Sequence, residues 1–201
     1  MHTTVSATSF KLATAASNVT VVAGLTFANP GNTLVEDDTV ASGTTTTKNA
    51  EAYVLLENFG FGLLIPSTAT INQVNLRHRG ARTAGASDHS AYIYRAGTAG
   101  AASANANTAL TTVTANSYAR PGGGTWVPDD FSDANFKVRL RSLQPNNTTS
   151  RTYQWAWGEV QVVFTFEDSV EFPYPEWDPG GELSPPGAPV RIITTSIIIA
   201  A

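Results

Sequence analysis

The side chains that could do chemistry are few, and their spacing is poor for most of it. His78 and His89, with Asp88 beside the second, are a conceivable metal set. Ligand clusters normally bring more histidines and carboxylates at regular spacing, so the commoner reading is a half-buried strand histidine and a loop pair. Asp129, Asp130 and Asp133, and separately Glu36, Asp37 and Asp38, offer hard oxygens of the kind calcium takes. Neither run has the spacing of a calcium loop, and aspartates of this kind more often make turns and caps. Glu57, Glu159 and Glu167 are the carboxylates a glycosidase would need in a facing pair. There is no G-x-S-x-G nucleophile turn, and Gly122-Gly-Gly124 follows Pro121 and opens no helix, so it is no phosphate cradle. The expectation is a protein that is not an enzyme and carries no cofactor.

Binding chemistry is better represented. Trp126, Trp155, Trp157, Tyr92, Tyr94 and Tyr153 could form an aromatic platform for the apolar faces of sugars. Large aromatics dominate burial, so most of them are expected in the core, and Trp126 is the best candidate for glycan contact.

The elements that must position these residues read as β-structure throughout. The stretch Tyr53 to Arg77 is an apolar strand, a turn at Ile65-Pro66-Ser67, and an alternating strand. Proline cannot donate to a ladder, so Pro66 closes the first run. Val74, Leu76 and His78 then share one face, and Asn75, Arg77 and Arg79 the other. Ser90–Arg95 puts Tyr92 and Tyr94 together, and Ala96–Thr108 reads as a loop of small residues. Ala109–Tyr118 is a further strand. Phe136–Arg141 buries Phe136, Val138 and Leu140 and shows Lys137, Arg139 and Arg141. In Arg151–Glu167 the apolar positions change parity, from Tyr153, Trp155 and Trp157 to Val160, Val162, Phe164 and Phe166. One extra residue flips every later side chain, so a β-bulge or kink is predicted at Gly158.

The expected fold class is therefore all-β, an antiparallel β-sandwich of jelly-roll-like type with extended N- and C-terminal arms. Its divisions are an arm over 1–50, the sandwich over 51–167, a Pro/Gly-rich linker over 168–189 and a terminal strand over 190–201. In the first arm Ser9–Thr14 and Val19–Phe27 are strand candidates; Val19, Val21, Leu25 and Phe27 are too apolar to stay in water and must pack on this domain or on a neighbour. At the other end Val190, Ile192, Ile193, Ile197, Ile198 and Ile199 form a strand apolar on both faces, which would aggregate if left unpaired. The proline-rich run before it, about 17 residues at 3.1 Å each, reaches on the order of 50 Å.

Composition agrees with a body of this kind. The chain has 201 residues, no cysteine, 14% charged residues and a formal net charge of -4. Disulfides and thiolate metal sites are excluded, and the acidic balance argues against a nucleic-acid partner. The first ten residues have neither a basic start nor an apolar run, so no standard signal peptide is expected. No segment approaches the roughly 20 apolar residues of a membrane span. A body so poor in charge repels its neighbours weakly, which leans towards life in an assembly.

The central block resembles a jelly-roll-like domain of tailed-phage and prophage virion structural proteins. The residues that carry the resemblance are Phe59-Gly-Phe61, Ile65-Pro-Ser67, Ala69-Thr-Ile71, Val74, Trp126-Val-Pro-Asp-Asp130, Asn135-Phe136-Lys-Val138 and Trp157-Gly-Glu-Val-Gln-Val162. Asn72-Gln73 departs from the pattern. The resemblance implies a virion location and a capsid decoration or tail role, with partners in the major capsid or tail protein and in further copies of itself, a homo-oligomer such as a trimer. The alternatives are a carbohydrate-binding module and a self-polymerising filament subunit. If the terminal strand is donated to a neighbour, a chain cut at Pro173 will lose self-association in analytical ultracentrifugation; unchanged assembly would contradict strand donation.

Overall fold

The computed structural model describes residues 2–83, 88–115 and 117–168; the segment from 169 onwards, with its predicted linker and terminal strand, lies outside them. Eleven strands occur among the described residues. They are β1 (His2–Ala7), β2 (Lys11–Leu12), β3 (Ala15–Val22), β4 (Ala41–Thr45), β5 (Glu51–Glu57), β6 (Thr70–Arg82), β7 (Asp88–Arg95), β8 (Thr98–Ala104), β9 (Thr111–Ala115), β10 (Phe136–Leu143) and β11 (Arg151–Asp168). One sheet runs β3-β5-β10-β7-β8. The other runs β1-β11-β6-β9, with β2 and β4 also pairing with β11. Every pairing is antiparallel. The fold is the β-sandwich that the alternating segments predict.

The core forms where the inward residues of both sheets meet. From the first sheet come Val54, Leu56, Ile93, Phe136, Val138 and Leu140, and from the second Val74, Leu76, Trp155, Val160 and Val162. Beside Phe136 the rings of Phe59, Phe61 and Phe131 pack with centroids 5.2 to 6.0 Å apart.

The first fifty residues are not a free arm. β1, β2 and β4 pair with successive lengths of β11, and β3 pairs with β5. Leu25 and Phe27, expected at an assembly interface, are 1% and 2% exposed in this chain's own core. The Phe27 amide is held by Asn18 Oδ1 at 2.8 Å. Apolar surface is buried wherever cover is nearest, and here the chain covers itself. Val19 lies beside Tyr53 on β5, and only Val21 of that group is largely exposed. Val190, Ile192, Ile193, Ile197, Ile198 and Ile199 lie outside the described residues.

Two local expectations are also corrected. Residues 98–104, read as loop, are the edge strand β8, whose small side chains suit close packing: a Cβ on Gly100 would lie 2.9 Å from the Tyr118 ring. The bulge in β11 falls at Ala156 rather than Gly158, because Trp155 pairs with Gly80 and Trp157 with Arg79. Trp155 therefore points into the core, while Trp157 points out and is covered by the Arg77 guanidinium, itself over Phe10. Gly158 faces inward, where a Cβ would meet Leu56 and Leu140 at 3.1 and 3.2 Å. The glycine serves core packing, not the irregularity.

His78 and His89 flank Trp155 inside the sandwich. The His89 ring stacks on the indole at 3.8 Å, and its Nδ1 lies 2.8 Å from Ser142 Oγ. His78 Nε2 lies 3.0 Å from Ser103 Oγ. Burial pushes His78 down to about 4 and His89 down to about 3. Unfolded histidines take up protons near pH 6.5 and these do not, so stability is complete above that pH and falls as acid is added, until the folded values are reached. Lowering the pH from 7 to 5 is expected to remove roughly 3–4 kcal/mol, seen as a lower urea midpoint. An unchanged midpoint would contradict two neutral buried imidazoles.

Candidate functional site

β10 is the middle strand of the five-stranded sheet, bonded to β5 on one side and β7 on the other. Its inward residues are core, so its outward residues, Lys137, Arg139 and Arg141, must stand on the sheet's outer face. The same alternation places Glu51, Tyr53, Leu55 and Glu57 of β5 and Tyr92 and Tyr94 of β7 on that face. All of these are half-buried except Tyr53, which is 8% exposed.

The charges on the face are unevenly paired. Lys137 pairs with Glu57. Arg141 donates to Glu51 Oε1 at 2.7 Å and pairs also with Asp88, while its Nη1 lies 3.3 Å from the Tyr92 hydroxyl. Glu51 above all, then Tyr92 and Asp88, hold the Arg141 guanidinium above its ordinary value against the opposing effect of burial. Arg139 has rings instead of a carboxylate. Its guanidinium carbon sits 3.4 Å from the Tyr94 centroid and 4.3 Å from that of Tyr53, a double cation–π contact. The result is a polar, aromatic surface across three strands.

Asp88 and His89 are neighbours in a strand and point to opposite faces, the carboxylate out to Arg141 and the imidazole into the core, so they cannot share a metal with His78. Among the described residues no group of three or more metal-ligating side chains converges. Asp130 is buried and receives Arg95, Arg120 and the Val127 amide; burial pushes its carboxyl up, but these donors outweigh it and hold it below the ordinary value. Asp133 accepts the Gly60 amide at 3.0 Å. Glu36 and Asp38 pair with Arg77 and Arg79, and Asp37 caps Thr39. Glu57 and Glu159 stand on the outer faces of opposite sheets, with the whole sandwich between them, so they do not form a facing pair. Glu159 pairs with Arg77 there; burial, the larger effect, still leaves its carboxyl raised.

The proposed platform divides in the same way. Tyr153 and Trp155 are core, and Trp157 is covered on the other sheet. Trp126 packs on Phe131 at 5.1 Å and donates its indole N–H to the Tyr118 carbonyl at 2.7 Å, which makes it a lid on the phenylalanine cluster. Tyr92 and Tyr94 do stand together on an accessible face. Tyr53 and Arg139 complete their group. The outward position of Arg139 is readable from the alternation of β10, but its meeting with Tyr53 needs the register of two strands far apart in sequence.

No known protein family matches the chain, and no curated protein does. Among solved structures the chain is similar to the N-terminal cellulose-binding domain of a Cellulomonas fimi β-1,4-glucanase, at 11% identity over 75% of this chain and 88% of that one, with a TM-score of 0.39. It is similar to the CBM22-1 xylan-binding domain from Paenibacillus barcinonensis, at 7% identity over 76% and 85%, with a TM-score of 0.35. It is also similar to a CBM61 module in complex with β-1,4-galactotriose, at 7% identity over 79% and 92%, with a TM-score of 0.34. Likeness at this level does not assign a ligand.

Truncating the two kinds of aromatic residue separates them. Trp126→Ala opens a void over the phenylalanine cluster and is expected to cost about 2–4 kcal/mol. Tyr94→Ala loses a cation–π contact at the surface and is expected to cost no more than about 1 kcal/mol. Urea melts of the two variants check this, and equal losses would contradict the assignment.

Proposed function

We propose that this protein is a non-catalytic binding module that holds a glycan chain on the outer face of its five-stranded sheet. The observation that carries the reading is the row of half-exposed Tyr92, Tyr94 and Arg139, backed by the buried Tyr53 and flanked by Arg141, Glu51 and Asp88. A pyranose ring has one apolar face and a rim of hydroxyls. Partly exposed tyrosine rings match the first, because an aromatic face is apolar while its hydroxyl keeps a polar handle. Guanidinium and carboxylate groups match the second as donors and acceptors in fixed positions. The strands hold these groups rigidly, so little ordering is lost when a ligand binds.

The particle-assembly reading is a separate proposal. Its N-terminal half is withdrawn, since Leu25 and Phe27 are core. What supports it is the apolar sequence of residues 190–199 alone.

A glycan array followed by calorimetry on the hits tests the module reading. Tyr94→Ala is expected to weaken binding by about tenfold, which is 1.4 kcal/mol, while Trp126→Phe leaves it unchanged. Binding that survives Tyr94→Ala but fails with Trp126→Phe would move the site to the Trp126 loop. No binding to any glycan would remove the reading.

A further inference from the structure

The outer face carries three cations and three carboxylates, yet they are not shared evenly. Arg141 has two carboxylates, Lys137 has one, and Arg139 has none among the described residues. The Arg139 Nε is buried without a hydrogen-bond partner, a costly state for a charged donor group. Buried unpaired donors are rare enough in folded proteins that each one calls for a reason. Arg139 is half-buried at the centre of the face with a ring from each flanking strand against it, which is not the setting of a merely solvated surface cation.

We infer that Arg139 is the recognition point for one sugar carboxylate, so that the ligand of this face is a uronic-acid-containing polysaccharide. The inference rests on the glycan-binding reading. Tyr94 and Tyr53, from the strands on either side of β10, both lie against the guanidinium and hold its planar fork in place. Such a fork is matched by two coplanar oxygens, which is the shape of a carboxylate. The strand register puts Arg139 directly opposite Leu55 and Tyr92, so the carboxylate's sugar ring has apolar and aromatic surface on either side.

The test titrates the full 201-residue chain with short oligomers of galacturonic, glucuronic and mannuronic acid and with the methyl esters of the same oligomers. At least one acid form is expected to bind about tenfold more tightly than its ester, with an advantage that shrinks as salt is raised. Arg139→Gln should abolish the difference, and Arg139→Lys, which keeps the charge but not the fork, should retain only part of it. The comparison of acid with ester on the unaltered chain stands even if a variant folds poorly. Equal binding of acid and ester, binding of neutral or sulfated glycans only, or a preference for the acid that persists in Arg139→Gln would each overturn the inference while leaving a glycan module in place. Failure to bind any glycan would overturn both.

Discussion

The two-residue period of β10 is the constraint on which the rest depends. That strand is bonded on both edges, so it cannot twist away from its neighbours, and its inward residues Phe136, Val138 and Leu140 have no exposure to speak of. Burying them forces Lys137, Arg139 and Arg141 onto one stripe of the opposite face. Three cations at every second position repel one another, and the flanking strands answer that repulsion in register. β5 brings Glu57 and Glu51 to the two ends, β7 brings Asp88, and the middle is filled by tyrosines. The candidate binding surface is thus the other side of the core, and neither can be altered without the other.

The second sheet solves a different problem. β11 runs the length of the domain and has to serve β1, β2 and β4 along one edge and β6 along the other. A strand this long would keep one parity throughout unless interrupted. The unpaired Ala156 changes it, so that Trp155 enters the core and Trp157 is left on the outside, sealed by Arg77 and Phe10. Gly80 makes room for the buried indole: a Cβ there would lie 2.6 Å from the Trp155 ring. His78 and His89 fill the space beside that ring as neutral groups, each meeting a serine hydroxyl. They are interior furniture of the sandwich, and the metal reading of the same residues fails because Asp88 faces the other way.

Most of the fold was legible wherever a strand buries one side only. The faces of β6 and β10, and the pairing of Tyr92 with Tyr94, follow from alternation. β1 and β4 were not legible, because they are short and polar and exist only by pairing with β11, more than a hundred residues away in the chain. β8 was hidden by its alanines and glycine, which give an edge strand no apolar signature. Leu25 and Phe27 could be read as buried, but apolar residues do not say whether their cover is their own chain or another. The candidate site was legible in its parts, Tyr92, Tyr94 and Arg139, and illegible as a whole. Tyr53 opens an apolar run and looks like core until β5 and β10 are set side by side.

The outer face of the five-stranded sheet is the surface proposed to meet a ligand. Chemical-shift mapping of the labelled protein during titration with a bound oligosaccharide tests that directly. Shifts should concentrate on the tyrosine ring signals and on the backbone of β5, β7 and β10, with the Arg139 side-chain Nε–H among the largest. Shifts gathered instead on the Trp126 loop, on β6 and β11, or spread without pattern would contradict it.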